Sequence, residues 1–127
     1  MNQIKILLVD DNQQCVKTLK EYFSGNPGFP VIGWADSGES AIRKVQELQP
    51  NLVFMDVSMP GMNGLEATMK IKKLANPPRV IMLTVLDDAE YRRASVEAGA
   101  DGFICKSDLA KETPMLLEKL FDRKNLV

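Results

Sequence analysis

Short apolar runs alternate along this chain with stretches whose apolar residues recur at helical spacing. The runs at residues 4–9, 31–35, 52–55, 80–83 and 102–105 are rich in Val, Ile and Leu. They show little period-two alternation, the pattern of strands covered on both faces. Between the first two, Val16, Leu19, Tyr22 and Phe23 share one helical face, and Ala41, Ile42, Val45 and Leu48 do the same ahead of Pro50. Asp36 followed by Glu39 offers a capping box for that second helix. Asn63 caps a third helix, with Leu65, Thr68, Ile71, Lys72 and Leu74, which ends before Pro77-Pro78. Asp87 or Asp88 caps a fourth, with Tyr91, Ala94, Ser95 and Ala98 inward and Gly99 as its stop. Proline suits the first helical position, so the fifth helix is expected to start at Thr113-Pro114 and turn Leu117, Leu120 and Phe121 inward. Residues 107–112 then form a lead-in turn, and Gly25-Asn26-Pro27-Gly28 a surface loop.

Strict strand–helix alternation predicts a parallel five-stranded sheet with helices on both faces and right-handed crossovers. The order 2-1-3-4-5 sets the carboxyl ends of strands 1 and 3 side by side at the topological switch point, with 4 and 5 beside them. At 127 residues, one domain over 1–127 is the simplest organisation. The net charge of −1 carries no basic footprint, so no direct grip on nucleic acid is expected. No run has the length of a membrane span and nothing resembles a signal peptide, so a cytoplasmic protein with no membrane contact is expected. Cys15 and Cys105 read as small apolar fillers kept reduced, in preference to a redox pair. The absence of histidine removes imidazole bases, the usual zinc sites and any phosphohistidine on this chain.

The strands end on polar residues: Asp10-Asp11, Asp56, Thr84 and Lys106. Singly, an aspartate caps a helix, a lysine is solvated and a threonine belongs to a turn. In the order above they meet in one crevice. Three carboxylates there resist ionising together unless a cation neutralises them. All-oxygen ligation selects magnesium, or alternatively manganese, over zinc. The Lys106 ammonium and Thr84 hydroxyl then suit phosphoryl oxygens. After Asp56, Pro60 and Gly61 force a turn and Asn63-Gly64 opens the next helix. The peptide groups between, from Val57 and Ser58, can offer a carbonyl to a metal and an N–H to a phosphate.

On these residues the chain resembles the receiver domain of bacterial two-component response regulators. The resemblance is carried by Asp10-Asp11, by Asp56-Val57-Ser58-Met59-Pro60-Gly61-Met62-Asn63-Gly64, by Leu83-Thr84, and by Gly99-Ala100-Asp101-Gly102-Phe103-Ile104-Cys105-Lys106. It implies a flavodoxin-like (βα)5 three-layer sandwich of α/β class, whose strand order is the one chosen above. It further implies Asp56 as phosphoacceptor, with Asp10, Asp11, Asp56 and the Ser58 carbonyl holding Mg2+. Lys106 and Thr84 would bind the phosphoryl oxygens, and Phe103 matches the family's aromatic switch position, though a plain core aromatic is the plainer reading of that ring. Leu65-Glu66-Ala67-Thr68 and Asp87-Asp88-Ala89-Glu90-Tyr91 look most like the subfamily whose receivers precede a helix-turn-helix domain.

The implied partner is a sensor histidine kinase or phosphotransfer protein, and phosphorylation-dependent homodimerisation is a further family expectation. The implied output is repacking of helix 4, strand 5 and helix 5 as Thr84 moves inward and Phe103 follows. Catalysis extends only to the domain's own phosphorylation and dephosphorylation. Arg123-Lys124-Asn125-Leu126-Val127 follows helix 5, so either a stand-alone regulator or an excised receiver of a transcription factor is expected. An aspartate-nucleophile phosphatase of small phosphate esters is the alternative, but it needs a second aspartate where Ser58 stands. A flavin carrier on the same fold would have its phosphate repelled by Asp10-Asp11. Two positions depart from the family: Phe103 replaces a commoner tyrosine, and Val85 follows the threonine where a small residue is usual. A β-branched side chain at Val85 is expected to crowd the attacking water. Val85→Ala should therefore shorten the acyl-phosphate lifetime, and a wild-type lifetime of seconds that Val85→Ala leaves unchanged would refute this.

Overall fold

Alternate residues of the central strands feed two separate cores, one on each face of the sheet. In the computed structural model, which describes residues 3–121, Ile6 and Leu8 pack in one core while Leu7 and Val9 pack in the other. The tail containing Arg123 to Val127, and with it the expectation built on the chain's end, lies outside the described residues.

The elements follow in strict alternation: β1 (Ile6–Val9), α1 (Gln13–Ser24), β2 (Val31–Ala35), α2 (Gly38–Leu48), β3 (Leu52–Asp56), α3 (Gly64–Lys72), β4 (Arg79–Thr84), α4 (Ala89–Glu97), β5 (Gly102–Cys105), a 3-10 turn (Lys106–Asp108) and α5 (Leu109–Phe121). The strands pair in parallel in the order β2-β1-β3-β4-β5. This is the flavodoxin-like arrangement expected from the sequence. β1 and β3 are buried throughout and β4 all but its first residue, whereas the edge strands β2 and β5 are only partly covered. The first core lies under α1 and α5, with Leu19, Phe23, Phe54 and Leu117; the second lies under α2 and α3, with Ala41, Val45, Met55 and Ile71.

Two local expectations are corrected. The cap of α2 is Ser37, not Asp36: Ser37 is the extended residue directly before the first turn and its side chain accepts from the Ser40 N–H. Glu39 still lies in that first turn, where the helix dipole favours it. The fifth helix starts at Leu109 and carries Pro114 inside it. Leu109, Thr113 and Leu117 recur every four residues on one face, and Leu109 and Leu117 both join the first core. That packing of an extra turn outweighs the backbone bond that proline cannot make, a loss of about 3 kcal/mol. Elsewhere the caps are as expected, Asn63 on α3 and Asp88 on α4, with Gly99 at a positive φ of 96° after α4.

Two contacts fix the loops around the sheet. Gly64 opens α3 so close to β3 that a Cβ there would lie 1.9 Å from the Asp56 carbonyl oxygen. Its N–H donates to the Val57 carbonyl at 2.9 Å, which closes the loop after Asp56. At the opposite end of the sheet, Asp101 accepts from the Lys72 ammonium at 2.9 Å, the Val80 N–H at 2.8 Å and the Arg79 guanidinium at 3.3 Å. Gly64→Ala should therefore lower stability by more than about 2 kcal/mol in urea unfolding. Gly25→Ala, where nothing lies within 4 Å of the added carbon, should change it by no more than about 1 kcal/mol.

Candidate functional site

Because side chains alternate along a strand, Asp10 follows Leu8, Asp56 follows Phe54 and Lys106 follows Ile104 on one face of the sheet. The pairing order brings the ends of β1 and β3 together, with β4 and β5 next. Asp10, Asp11 and Asp56 present carboxylate oxygens that all lie within 4.8 Å of one another. Asp10 is 1% exposed and Asp56 5%, while Asp11 is exposed. The Lys106 ammonium sits 2.8 Å from Asp10 Oδ2 and 3.5 Å from Asp56 Oδ1. One ammonium thus serves two buried carboxylates, leaving the cluster with an excess of negative charge.

That excess has a measurable consequence. Burial and the neighbouring Asp10 charge push the Asp56 carboxyl up to about 7, against the opposing pull of Lys106 and the Ser58 N–H. Burial alone would lower the Lys106 ammonium, but its bond to Asp10 and the Asp56 and Asp10 charges outweigh that and hold it above its ordinary value. The same surroundings affect Cys15: burial first, then the adjacent Asp10 carboxylate, push its thiol up to about 12. Cys15 and Cys105 are both free and buried, so as thiols they fill space.

The cluster opens into a cleft of about 280 Å³ lined by Asp56, Ser58, Thr84, Leu86, Tyr91 and Lys106, with Val57 and Val85 also in its wall. Thr84 is buried, and its Oγ1 accepts from the Leu86 N–H at 3.2 Å, which leaves the hydroxyl hydrogen free to donate. Val57 does not present its N–H to the cleft as the sequence suggested: that N–H donates to the Leu83 carbonyl at 2.9 Å, continuing the β3–β4 ladder by one residue. The Ser58 N–H is the peptide donor turned to Asp56. Val85 is 73% exposed and stands at the rim. Phe103 is half-buried against the second core, with the Arg92 guanidinium 4.6 Å from its ring centroid. Arg92 is held in turn by Asp87 at 2.8 Å. This bracing of Phe103 had no signal in the sequence beyond helical spacing within α4.

The donor set fits a hard divalent cation: three clustered carboxylates, two of them buried, against a single ammonium. The family profile for the response regulator receiver domain matches residues 6–118, and the chain belongs to that family. The response regulator protein VraR of Staphylococcus aureus is 41% identical over 110 residues, which make up 86% of this chain and 52% of VraR. A two-component response regulator of the LuxR family from an Aurantimonas species has a TM-score of 0.86 at 29% identity, covering 96% of this chain and 88% of that one. A CheX–CheY–BeF3–Mg complex from Borrelia burgdorferi has a TM-score of 0.81 at 26% identity, over 94% of this chain and 90% of that one. The chain spans about half the length of the curated relatives it matches. No helix among the described residues is long and apolar enough to cross a membrane.

The pH dependence follows from Asp56. Its folded value, about 7, lies above the ordinary 3.8, so the folded state binds the extra proton. Stability from this group is complete below the unfolded value and is lost as pH rises through 7. In chelator, Asp56→Asn should therefore stabilise the protein more at pH 8 than at pH 5, by about 2–3 kcal/mol in urea unfolding. Equal gains at the two pH values would contradict this reading.

Proposed function

We propose that this domain is the phosphoryl-accepting switch of a two-component system, with Asp56 as acceptor. One observation carries the reading: Asp56 is buried beside Asp10, within ion-pairing reach of Lys106, yet lines an open cleft. Asp10, Asp11, Asp56 and the Ser58 carbonyl would hold Mg2+. When bound, the ion offsets charge on the phosphoryl group and aligns it for in-line attack. The remaining protein contributions come from the chain's own side chains and peptide groups.

An Asp56 carboxylate oxygen forms the bond to phosphorus while the phosphorus–nitrogen bond to the donor's imidazole breaks, the imidazole nitrogen keeping the electron pair. The transition state is loose, so positioning and charge stabilisation matter more than nucleophilic strength. Lys106 supplies the protein's own cation to the transferred group, and the Ser58 N–H a neutral donor. The donor is a histidine kinase or phosphotransfer protein, as in the family at large. In-line attack by water on the acyl phosphate resets the domain, the only other chemistry it performs. A phosphatase acting on external esters is not favoured, since Ser58 stands where its acid would be.

Once Asp56 is modified, the Thr84 hydroxyl donates to a phosphoryl oxygen and Phe103 turns inward, repacking α4, β5 and α5. That surface then carries the output, including any phosphorylation-dependent dimer. The LuxR-family relative is itself a two-component response regulator, and the reading extends to transcription control through a helix-turn-helix domain in the full-length protein, acting in the cytoplasm. The test is to incubate the protein with Mg2+ and acetyl phosphate and follow intact mass. A single phosphoryl adduct should appear on wild type, vanish with chelator, and be absent from Asp56→Asn. Lys106→Ala should separate modification from any conformational signal. An adduct that persists in Asp56→Asn would overturn the assignment.

A further inference from the structure

The chain's single tryptophan, Trp34, lies on edge strand β2 directly opposite Leu8 of β1. Its ring packs against the first core, but its indole N–H points elsewhere: it donates to the Asp10 carbonyl oxygen at 3.0 Å. The β1–β2 ladder ends with the pair Val9 and Ala35, after which the Asp10 N–H still donates to the Ala35 carbonyl at 3.0 Å. Past that bond the backbone partner strand has run out. The indole takes its place on the next peptide. Trp34 is itself anchored, because its own carbonyl accepts from the Lys44 ammonium.

The peptide bond between Asp10 and Asp11 is planar, so fixing the Asp10 carbonyl fixes the direction in which Asp11 leaves. The Asp10 side chain is held separately, with Oδ1 accepting from the Asn12 N–H at 2.8 Å and Oδ2 paired with Lys106. Asp11 is exposed, and the orientation of that peptide governs whether its carboxylate faces Asp10 and Asp56. A phenylalanine would fill the same apolar place, so packing alone gives no reason for an indole whose N–H meets this carbonyl.

We propose that Trp34 is a positioning residue for the divalent-cation site, its indole N–H locking the Asp10–Asp11 peptide so that three carboxylates converge before an ion arrives. The inference rests on the reading that this cluster holds Mg2+. The energetic logic is preorganisation: an orientation set in the free protein need not be set at the moment of binding. Loss of the indole donor should be tolerated in folding. A shallow groove lined by Gln13, Val16, Lys17 and Lys20 runs beside the ring, away from the carboxylates.

The test titrates wild type and Trp34→Phe with Mg2+ alone, by calorimetry. The variant should bind about 3- to 10-fold more weakly, the range set by one hydrogen bond, while still unfolding cooperatively in chelator. Equal affinity in the two proteins would overturn the proposal. A second measurement needs no variant: the wild-type protein has one indole resonance in a nitrogen-15 spectrum. In chelator its hydrogen should already be protected from solvent exchange, and Mg2+ should leave that protection in place. An indole hydrogen that exchanges in chelator as fast as that of a free indole would overturn the proposal, and this decides the matter if Trp34→Phe fails to fold. A wild type that binds no Mg2+ by calorimetry would instead sink the proposed function, and this inference with it.

Discussion

Two carboxylates buried at the ends of adjacent central strands cannot both stay ionised without a cation beside them, and this chain brings one ammonium to both. Much of the architecture serves that arrangement. Asp10 and Asp56 are neighbours only because β1 and β3 pair, and Lys106 reaches them only because it leaves β5 on the same face. Gly64 lets α3 begin against the Asp56 carbonyl, which holds the loop after Asp56 close to β3. Removing the ammonium would strand both charges. Adding a dication would relieve both.

The period of two along the strands also divides the domain's labour. Asp10, Asp56 and Lys106 continue the face that carries Leu8, Phe54 and Ile104, under α1 and α5. Thr84 continues the opposite face from Met82, which stands across from Phe103 in the β4–β5 register. The carboxylates and the Thr84–Phe103 pair therefore sit on opposite faces of one sheet, joined through the end of β4. The chain joins Thr84 to α4 through residues 85–88, and the Leu86 N–H bonded to Thr84 Oγ1 is the first link along it.

The site was legible because central parallel strands read as unbroken apolar runs, so a polar residue at the end of each one stands out. Asp10, Asp56, Thr84 and Lys106 all came from that contrast, and the strand order brought them together. What stayed hidden depended on three dimensions. Ser37 and Asp36 are equally good caps by type, and only backbone conformation separates them. Pro114 looks like a helix start until the packing of Leu109 is known. The Val57 N–H looked available until β4 was seen to extend far enough to claim it. Trp34 read as one more apolar residue of an edge strand, because a side-chain donor's target lies on another segment.

The outward face is held far less firmly than the acidic cluster. The Arg92 guanidinium over Phe103 is worth about 0.5–1 kcal/mol at an exposed position. Arg92 and Asp87, which hold each other, are both solvent-exposed and so screened. A new charge-assisted hydrogen bond from Thr84 to a phosphoryl oxygen is worth about 1.5–3 kcal/mol. The contacts bracing Phe103 are thus weaker than the one that modification would supply at Asp56. Phe103 also lacks the hydroxyl that could tie its ring inward, so either position must be held by packing and by Arg92 alone. A domain built this way has a firmly held acidic cluster and a lightly latched surface. On the function proposed above, that asymmetry would let a single phosphoryl group at Asp56 shift the population of the α4 face.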